Sequence, residues 1–139
     1  MNSIEARASS GSYPIYIKNG LLGEIGVEVK KIYKGKRIAV VTDSNVNEFY
    51  GQKTINSLKE SGFEPYKIVV KAGEESKSFG TLLKVYDKLL DYNINRGDII
   101  IALGGGVVGD MAGFAAATFL RGISLIQIPT TLLAQVDSS

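Results

Sequence analysis

The sequence predicts an α/β domain, doubly wound about a mainly parallel sheet and Rossmann-like in plan. Three observations predict it. Strand-like and helix-like segments alternate along almost the whole 139-residue chain, the order that βαβ units impose. Two short, nearly continuous apolar runs, Arg37 to Thr42 and Asp98 to Leu103, suit strands buried on both faces. A glycine-rich stretch, Gly104 to Gly109, follows the second of these runs and opens an Ala-rich helix.

Taken in order, residues 1–11 are polar, rich in Ser, Gly and Ala, and read as a flexible tail. Tyr13 to Lys18 alternates as a strand does, with Pro14 pointing to an edge position. Asn19-Gly20 makes a turn. Leu22, Ile25, Val29, Ile32 and Tyr33 then recur at helical spacing, and Lys34-Gly35-Lys36 ends that helix. The strand Arg37 to Thr42 is followed by Asp43-Ser44-Asn45, three residues that favour helix caps. A helix to about Ser61 would stop at Gly62. Tyr66 to Lys71 is the next strand and Ala72 to Ser78 a polar loop. Phe79, Leu82, Leu83, Tyr86, Leu89 and Leu90 form a clean amphipathic stripe, expected to lie in the core. After Asp98 to Leu103 and the glycines, a helix runs to about Phe119. Ile123 to Ile128 is the last strand, closed by Pro129-Thr130-Thr131.

Composition narrows the function classes. With 45% hydrophobic and 22% charged residues, the chain can bury an ordinary core and is not disordered. Its net charge of +2 argues for neither nucleic acid nor an anionic membrane as partner. Cysteine and histidine are both absent, so no thiol nucleophile, Cys/His zinc site or imidazole base can come from these residues. No run resembles a signal peptide or membrane span, which makes the cytoplasm the default location. Leu132 to Ser139 carries no stop signal, and we read the chain as a piece of a longer protein.

In an open parallel sheet, ligands bind at the carboxyl ends of the strands. Four polar or glycine-rich segments fall there: Asp43 to Asn45, Gly73 to Lys77, Gly104 to Asp110, and Pro129 to Thr131. Gly104, Gly106 and Gly109 satisfy the spacing GxGxxG, which brings backbone N–H groups close to a pyrophosphate at a helix start. No Lys-Ser/Thr follows, so this is not a Walker A loop. The alternative is a tight turn with close helix packing. Asp110 reads either as a helix-capping residue or as a ligand contact, and Asp43 and Asn45 as N-caps or as acceptors for a ribose. Thr130 and Thr131 read as turn caps or ligand contacts. Glu74 to Lys77 on spacing alone is a solvated loop. Arg121-Gly122 is a helix C-terminal charge with a left-handed glycine, or a grip on a phosphate or carboxylate.

Taken together, Gly104 to Gly122 (GGGVVGDMAGFAAATFLRG), Gln127 to Ser139 (QIPTTLLAQVDSS), the Gly73 to Lys77 loop and Asp43-Ser44-Asn45 resemble the N-terminal half of the 3-dehydroquinate synthase family. The likeness runs from about Ser12 to Ser139. It implies a domain organisation in which residues 12–139 are a truncated NAD-binding α/β domain, the family's helical C-terminal domain lying beyond Ser139. It also implies an NAD- and metal-dependent lyase that turns 3-deoxy-D-arabino-heptulosonate 7-phosphate into 3-dehydroquinate and phosphate, in the shikimate pathway of aromatic amino acid biosynthesis. The full-length protein is expected to be a homodimer acting on a small sugar phosphate, without nucleic acid or membrane partners.

Residue by residue, the resemblance implies that Asp43, Asn45, Glu74 and Lys77 contact the adenosine end of NAD. The backbone of Gly105, Gly106 and Val107 cradles the pyrophosphate, and Asp110, Thr130, Thr131 and Leu133 line the nicotinamide-ribose side. Asp137 reaches the active site near nicotinamide and substrate. Arg121 serves the substrate phosphate, from its own or a neighbouring subunit. The divalent metal, zinc or cobalt, takes a glutamate and two histidines from the C-terminal domain, so the 139 residues alone should bind no catalytic metal and turn over no substrate. Two other readings stand beside this one: a related sugar-phosphate cyclase or glycerol dehydrogenase-like polyol oxidoreductase, which shares the glycine segment, and a non-catalytic nucleotide-binding module.

Overall fold

The computed structural model describes residues 2–8, 11–17 and 21–130. Strands β1 (Asn2–Ala8) and β2 (Gly11–Ile17) pair antiparallel as a hairpin, Asn2 opposite Ile17 and Ala8 opposite Gly11. Residues 2–8, expected within a flexible tail, are therefore a strand. Their own apolar content is too thin to announce one, and the pairing comes from the better strand sequence after Gly11. Pro14 lies opposite Glu5. In a two-stranded sheet every strand is an edge, which suits a residue without an N–H.

The main sheet holds β3 (Arg37–Asp43), β4 (Glu64–Val70), β5 (Ile99–Gly104) and β6 (Ser124–Pro129) in the order β4-β3-β5-β6, all parallel. Helix α1 (Ile25–Ile32) precedes β3. After β3 come α2 (Ser44–Val46), a π-helical turn (Asn47–Gly51) and α3 (Gln52–Glu60). Helix α4 (Phe79–Asp91) joins β4 to β5, and α5 (Gly106–Thr118) joins β5 to β6. Alternate strand residues divide the core in two. Ala39, Val41, Ile100 and Ala102 pack with α4 and α5, while Ile38, Val40, Ile99, Ile101 and Leu103 pack with α1 and α3. The sheet is thus covered on both faces, as the doubly wound reading requires.

β3 and β5 are the inner strands, and every residue of β5 is buried. That is why their sequences are unbroken apolar runs. β4 and β6 are the outer strands and are mostly half-buried. The amphipathic stripe of α4 is only partly core. Leu82, Val85 and Leu89 are buried, whereas Phe79 is 73% exposed, Leu83 46% and Leu90 60%. Helix α4 shares its face of the sheet with α5, so one narrow arc at spacing i, i+3, i+7 meets the strands. Ile32 is likewise exposed, and Tyr33 fills that end of α1 instead.

Tyr33 closes the core at the amino-terminal edge of the sheet. Its hydroxyl lies 2.9 Å from the Arg37 carbonyl oxygen and 3.0 Å from Asp98 Oδ1, while Asp98 Oδ2 accepts from the Asn95 N–H at 2.9 Å. Burial first, then the hydrogen bond and charge of Asp98, hold the phenol well above its ordinary value of 10.0. The folded state therefore keeps this proton more tightly than the unfolded chain. Its contribution is complete below about pH 10 and falls as the pH rises beyond. Denaturant titrations of the wild type and Tyr33→Phe should show a stability gap that is constant below about pH 10 and narrows as the pH rises above it. A gap independent of pH would contradict this account.

Candidate functional site

The chain turns to opposite faces after β3 and β5, towards α3 and α5 respectively, although these strands are neighbours. At such a switch point doubly wound sheets take ligands, in the crevice outside the carboxyl ends of the strands. Asp43 is the last residue of β3, and Gly104 ends β5.

The glycines divide the two readings of their motif between them. An ideal Cβ at Gly104 would stand 2.8 Å from both Cβ and Cγ2 of Val108, so this glycine lets the first turn of α5 pack against its own strand. Among the described residues, and apart from the helix's own backbone, a Cβ at Gly106 or Gly109 would meet nothing within 4 Å. These two glycines leave open space rather than filling a contact. Gly105 is the N-cap of α5 and offers no side-chain cap, and the first turn carries no acidic residue. The leading N–H groups, beginning with Gly106 and Val107, thus face the crevice with the positive end of the helix dipole. Thr130, just past β6, donates its N–H to the Gly104 carbonyl at 2.9 Å and so sits beside the same loop.

Asp110 does not cap α5. It lies one turn deeper, with Oδ2 2.7 Å from Lys77 Nζ. The ammonium also stands 3.8 Å from Glu74 Oε1. The Glu74 to Lys77 segment is therefore more than a solvated loop, because it reaches across to α5. Gly73 turns the chain with φ +118, Glu74–Ser76 forms a 3-10 turn, and buried Ser76 donates its hydroxyl to the Lys71 carbonyl. Beyond Lys77, a cleft of about 380 Å³ is lined by Phe79, Leu82, Met111 and Phe114 together with Lys77 and Asp110. The exposed Phe79 belongs to this wall.

Asp43 is an N-cap, as one reading had it. Its Oδ1 accepts from the Asn45 and Val46 N–H groups at 2.9 and 2.8 Å, and the Asn45 side chain is exposed at the rim. Arg121 lies elsewhere. It follows α5, whose 13 residues span about 20 Å, so it sits at the opposite edge of the sheet from Gly106. Leu120 and Arg121 take positive φ values of 50 and 68 ahead of Gly122 at 111, so the left-handed turn involves three residues where the sequence suggested one glycine. Thr131, Leu133 and Asp137 lie outside the described residues. The sequence marks Ser44 only as a capping candidate and gives no sign of its bond to Ala72 or of the part Ser76 plays. Short hydroxyl residues inside polar loops carry no signal until their partners are known.

Among the described residues there is no cluster of three or more His, Cys, Asp or Glu able to hold a metal. No helix there is long and apolar enough to cross a membrane.

Comparisons with known proteins agree with this fold. Over all 139 residues the chain is 52% identical to 3-dehydroquinate synthase of Clostridium acetobutylicum, covering 39% of that protein. Over 128 residues it is 59% identical to the enzyme of Clostridium botulinum, covering 92% of this chain and 37% of that one. The chain thus spans about two fifths of the length of the relatives it matches. Among solved structures, 2-deoxy-scyllo-inosose synthase complexed with carbaglucose-6-phosphate, NAD+ and Co2+ matches 98% of this chain and 36% of that one, with TM-score 0.86 at 24% identity. That likeness speaks for the fold. The 2-epi-5-epi-valiolone synthase ValA from Streptomyces hygroscopicus, with NAD+ and Zn2+ bound, matches 95% of this chain and 36% of its own, with TM-score 0.80 at 27% identity. The family model for the 3-dehydroquinate synthase N-terminal domain matches residues 67–139, more than half of the sequence, and the chain belongs to that family.

Proposed function

We propose that this chain is the NAD-binding portion of a 3-dehydroquinate synthase, a lyase that converts 3-deoxy-D-arabino-heptulosonate 7-phosphate into 3-dehydroquinate and phosphate. The observation that carries the reading is 52% identity to such an enzyme along the entire chain. The crevice suits the cofactor. The open approach at Gly106 leaves room for a pyrophosphate against the backbone of Gly105, Gly106 and Val107. Lys77 would add a cation beside it, toward the adenosine end. Asp43, with Oδ1 used as a cap, would offer Oδ2 to a ribose hydroxyl, beside Asn45 and Glu74. Asp110, Thr130, Thr131 and Leu133 would border the nicotinamide ribose, with Asp137 nearest the reacting atoms.

NAD supplies reversible oxidation of a ring carbinol, which makes the neighbouring C–H acidic enough for phosphate to leave. A divalent metal, zinc or cobalt, would polarise the oxidised centre. Its ligands would come from outside these residues, since the chain has neither histidine nor cysteine and at most carboxylates to offer. The distance of Arg121 from its own crevice supports its service to the substrate phosphate of a neighbouring subunit in a homodimer. A soluble, cytoplasmic biosynthetic enzyme is the setting we propose.

The test is phosphate release from the heptulosonate phosphate by the gene product extended past Ser139, with NAD and zinc. Release that requires both, with no net NADH, is expected, and the 139-residue chain alone should release none. A second reading follows from the likeness to glycerol dehydrogenase from Schizosaccharomyces pombe, with TM-score 0.64 over 78% of this chain. Net NADH formation from a polyol, without phosphate release, would favour it.

A further inference from the structure

We propose that Ser44 is a positioning residue that joins two loops into one rim for the adenosine end of the cofactor. The inference rests on the NAD-binding reading above. The parallel ladder between β3 and β4 ends with Asp43 opposite Val70. Past that point no strand pairing holds the two chains together, yet both carry residues assigned to the same end of the ligand. Asp43 and Asn45 lie on one loop, Glu74 and Lys77 on the other.

The Ser44 hydroxyl spans the gap. Its Oγ accepts the Ala72 N–H at 3.0 Å, one residue past Lys71 and one before the Gly73 turn. The Asp43 carboxylate is occupied in capping through Oδ1, which leaves the neighbouring hydroxyl as the bridging group. From Ala72 the linkage continues. Ser76 bonds back to the Lys71 carbonyl, which closes the loop, and Lys77 then meets Asp110 on α5 at 2.7 Å. The capped turn after β3, the loop after β4 and the second turn of α5 are thus linked, with Ser44 as the first link. Ser44 is exposed, and its removal leaves the Asp43 cap and the core untouched. The loss should therefore appear in ligand affinity and not in folding.

Calorimetry on the gene product extended past Ser139 with ADP-ribose tests this, with inorganic pyrophosphate in competition as a probe of the α5 start. Ser44→Ala should weaken ADP-ribose binding about threefold to tenfold, the range set by one net hydrogen bond. It should weaken pyrophosphate binding less than ADP-ribose binding, and Ser44→Thr should restore the affinity. Amide exchange at Ala72 should quicken in Ser44→Ala and not in Ser44→Thr. Wild-type and Ser44→Ala chains that bind ADP-ribose equally would overturn the proposal and leave the NAD reading standing. An equal loss for pyrophosphate, or unchanged Ala72 exchange, would overturn it as well. Failure of the wild type to bind ADP-ribose at all would overturn both.

Discussion

Gly104→Ala should melt about 3–12 °C below the wild type, whereas Gly106→Ala should melt within about 2 °C of it and bind NAD at least about tenfold more weakly. The contrast follows from what each new methyl group meets. At Gly104 it would stand 2.8 Å from two carbons of Val108, well inside van der Waals contact. Val108 is itself fully buried, so it has nowhere to retreat. Forcing one methyl into such a place costs about 1–3 kcal/mol. At Gly106 no atom of the described residues outside the helix's own backbone lies within 4 Å, so the described fold does not register the change. The methyl instead occupies the space where a pyrophosphate must approach the α5 backbone. Thermal melts and NAD titrations of the two variants separate the effects. A Gly106→Ala chain that binds NAD like the wild type would remove the glycine cradle from the site.

Lys77→Ala should weaken NAD binding about tenfold to hundredfold, the range of one charge-assisted hydrogen bond, while changing stability by less than about 1 kcal/mol. Its ion pair with Asp110 is short, but the two side chains are 46% and 30% exposed. Water therefore screens most of what the pair contributes to folding. An anionic ligand at the start of α5 would bind with the ammonium beside it, and affinity should then fall with added salt more steeply for the wild type than for the variant. Lys77→Arg should recover only part of the affinity, because a planar guanidinium does not reproduce a compact point charge. Equal NAD affinity for Lys77→Ala and wild type would return this loop to the solvated reading that its spacing suggests.

Much of the fold is legible in particular residues. The runs through Val40-Val41 and Ile100-Ile101 are apolar on both faces, and they are the two inner strands. The cap at Asp43 and the helix opening at Gly106 are visible for the same reason, since both depend on residues adjacent in sequence. The strand Asn2–Ala8 is not legible, because its warrant is the partner across the hairpin and not its own pattern. Nor is the exposure of Phe79 and Leu90. A helical stripe reports which residues share a face, but not how wide an arc the neighbouring helix leaves for the sheet.

The candidate site divides along the same line. Local chemistry alone determined that Gly104 to Gly109 turns tightly into a helix, that Asp43 is a candidate cap, and that the loops after four strands are the places to look. Only the tertiary structure decided that Gly104 packs while Gly106 stays open, that Lys77 reaches Asp110, that Ser44 holds Ala72, and that Arg121 lies at the far edge of the sheet. Each of these is a relation between a side chain and atoms supplied by another segment, or by the turn of a helix on its strand. Backbone preferences are short-ranged, reaching only a few residues along the chain. The crossovers that bring β3 next to β5, and so place these loops side by side, are set by burial of both faces of the sheet at once.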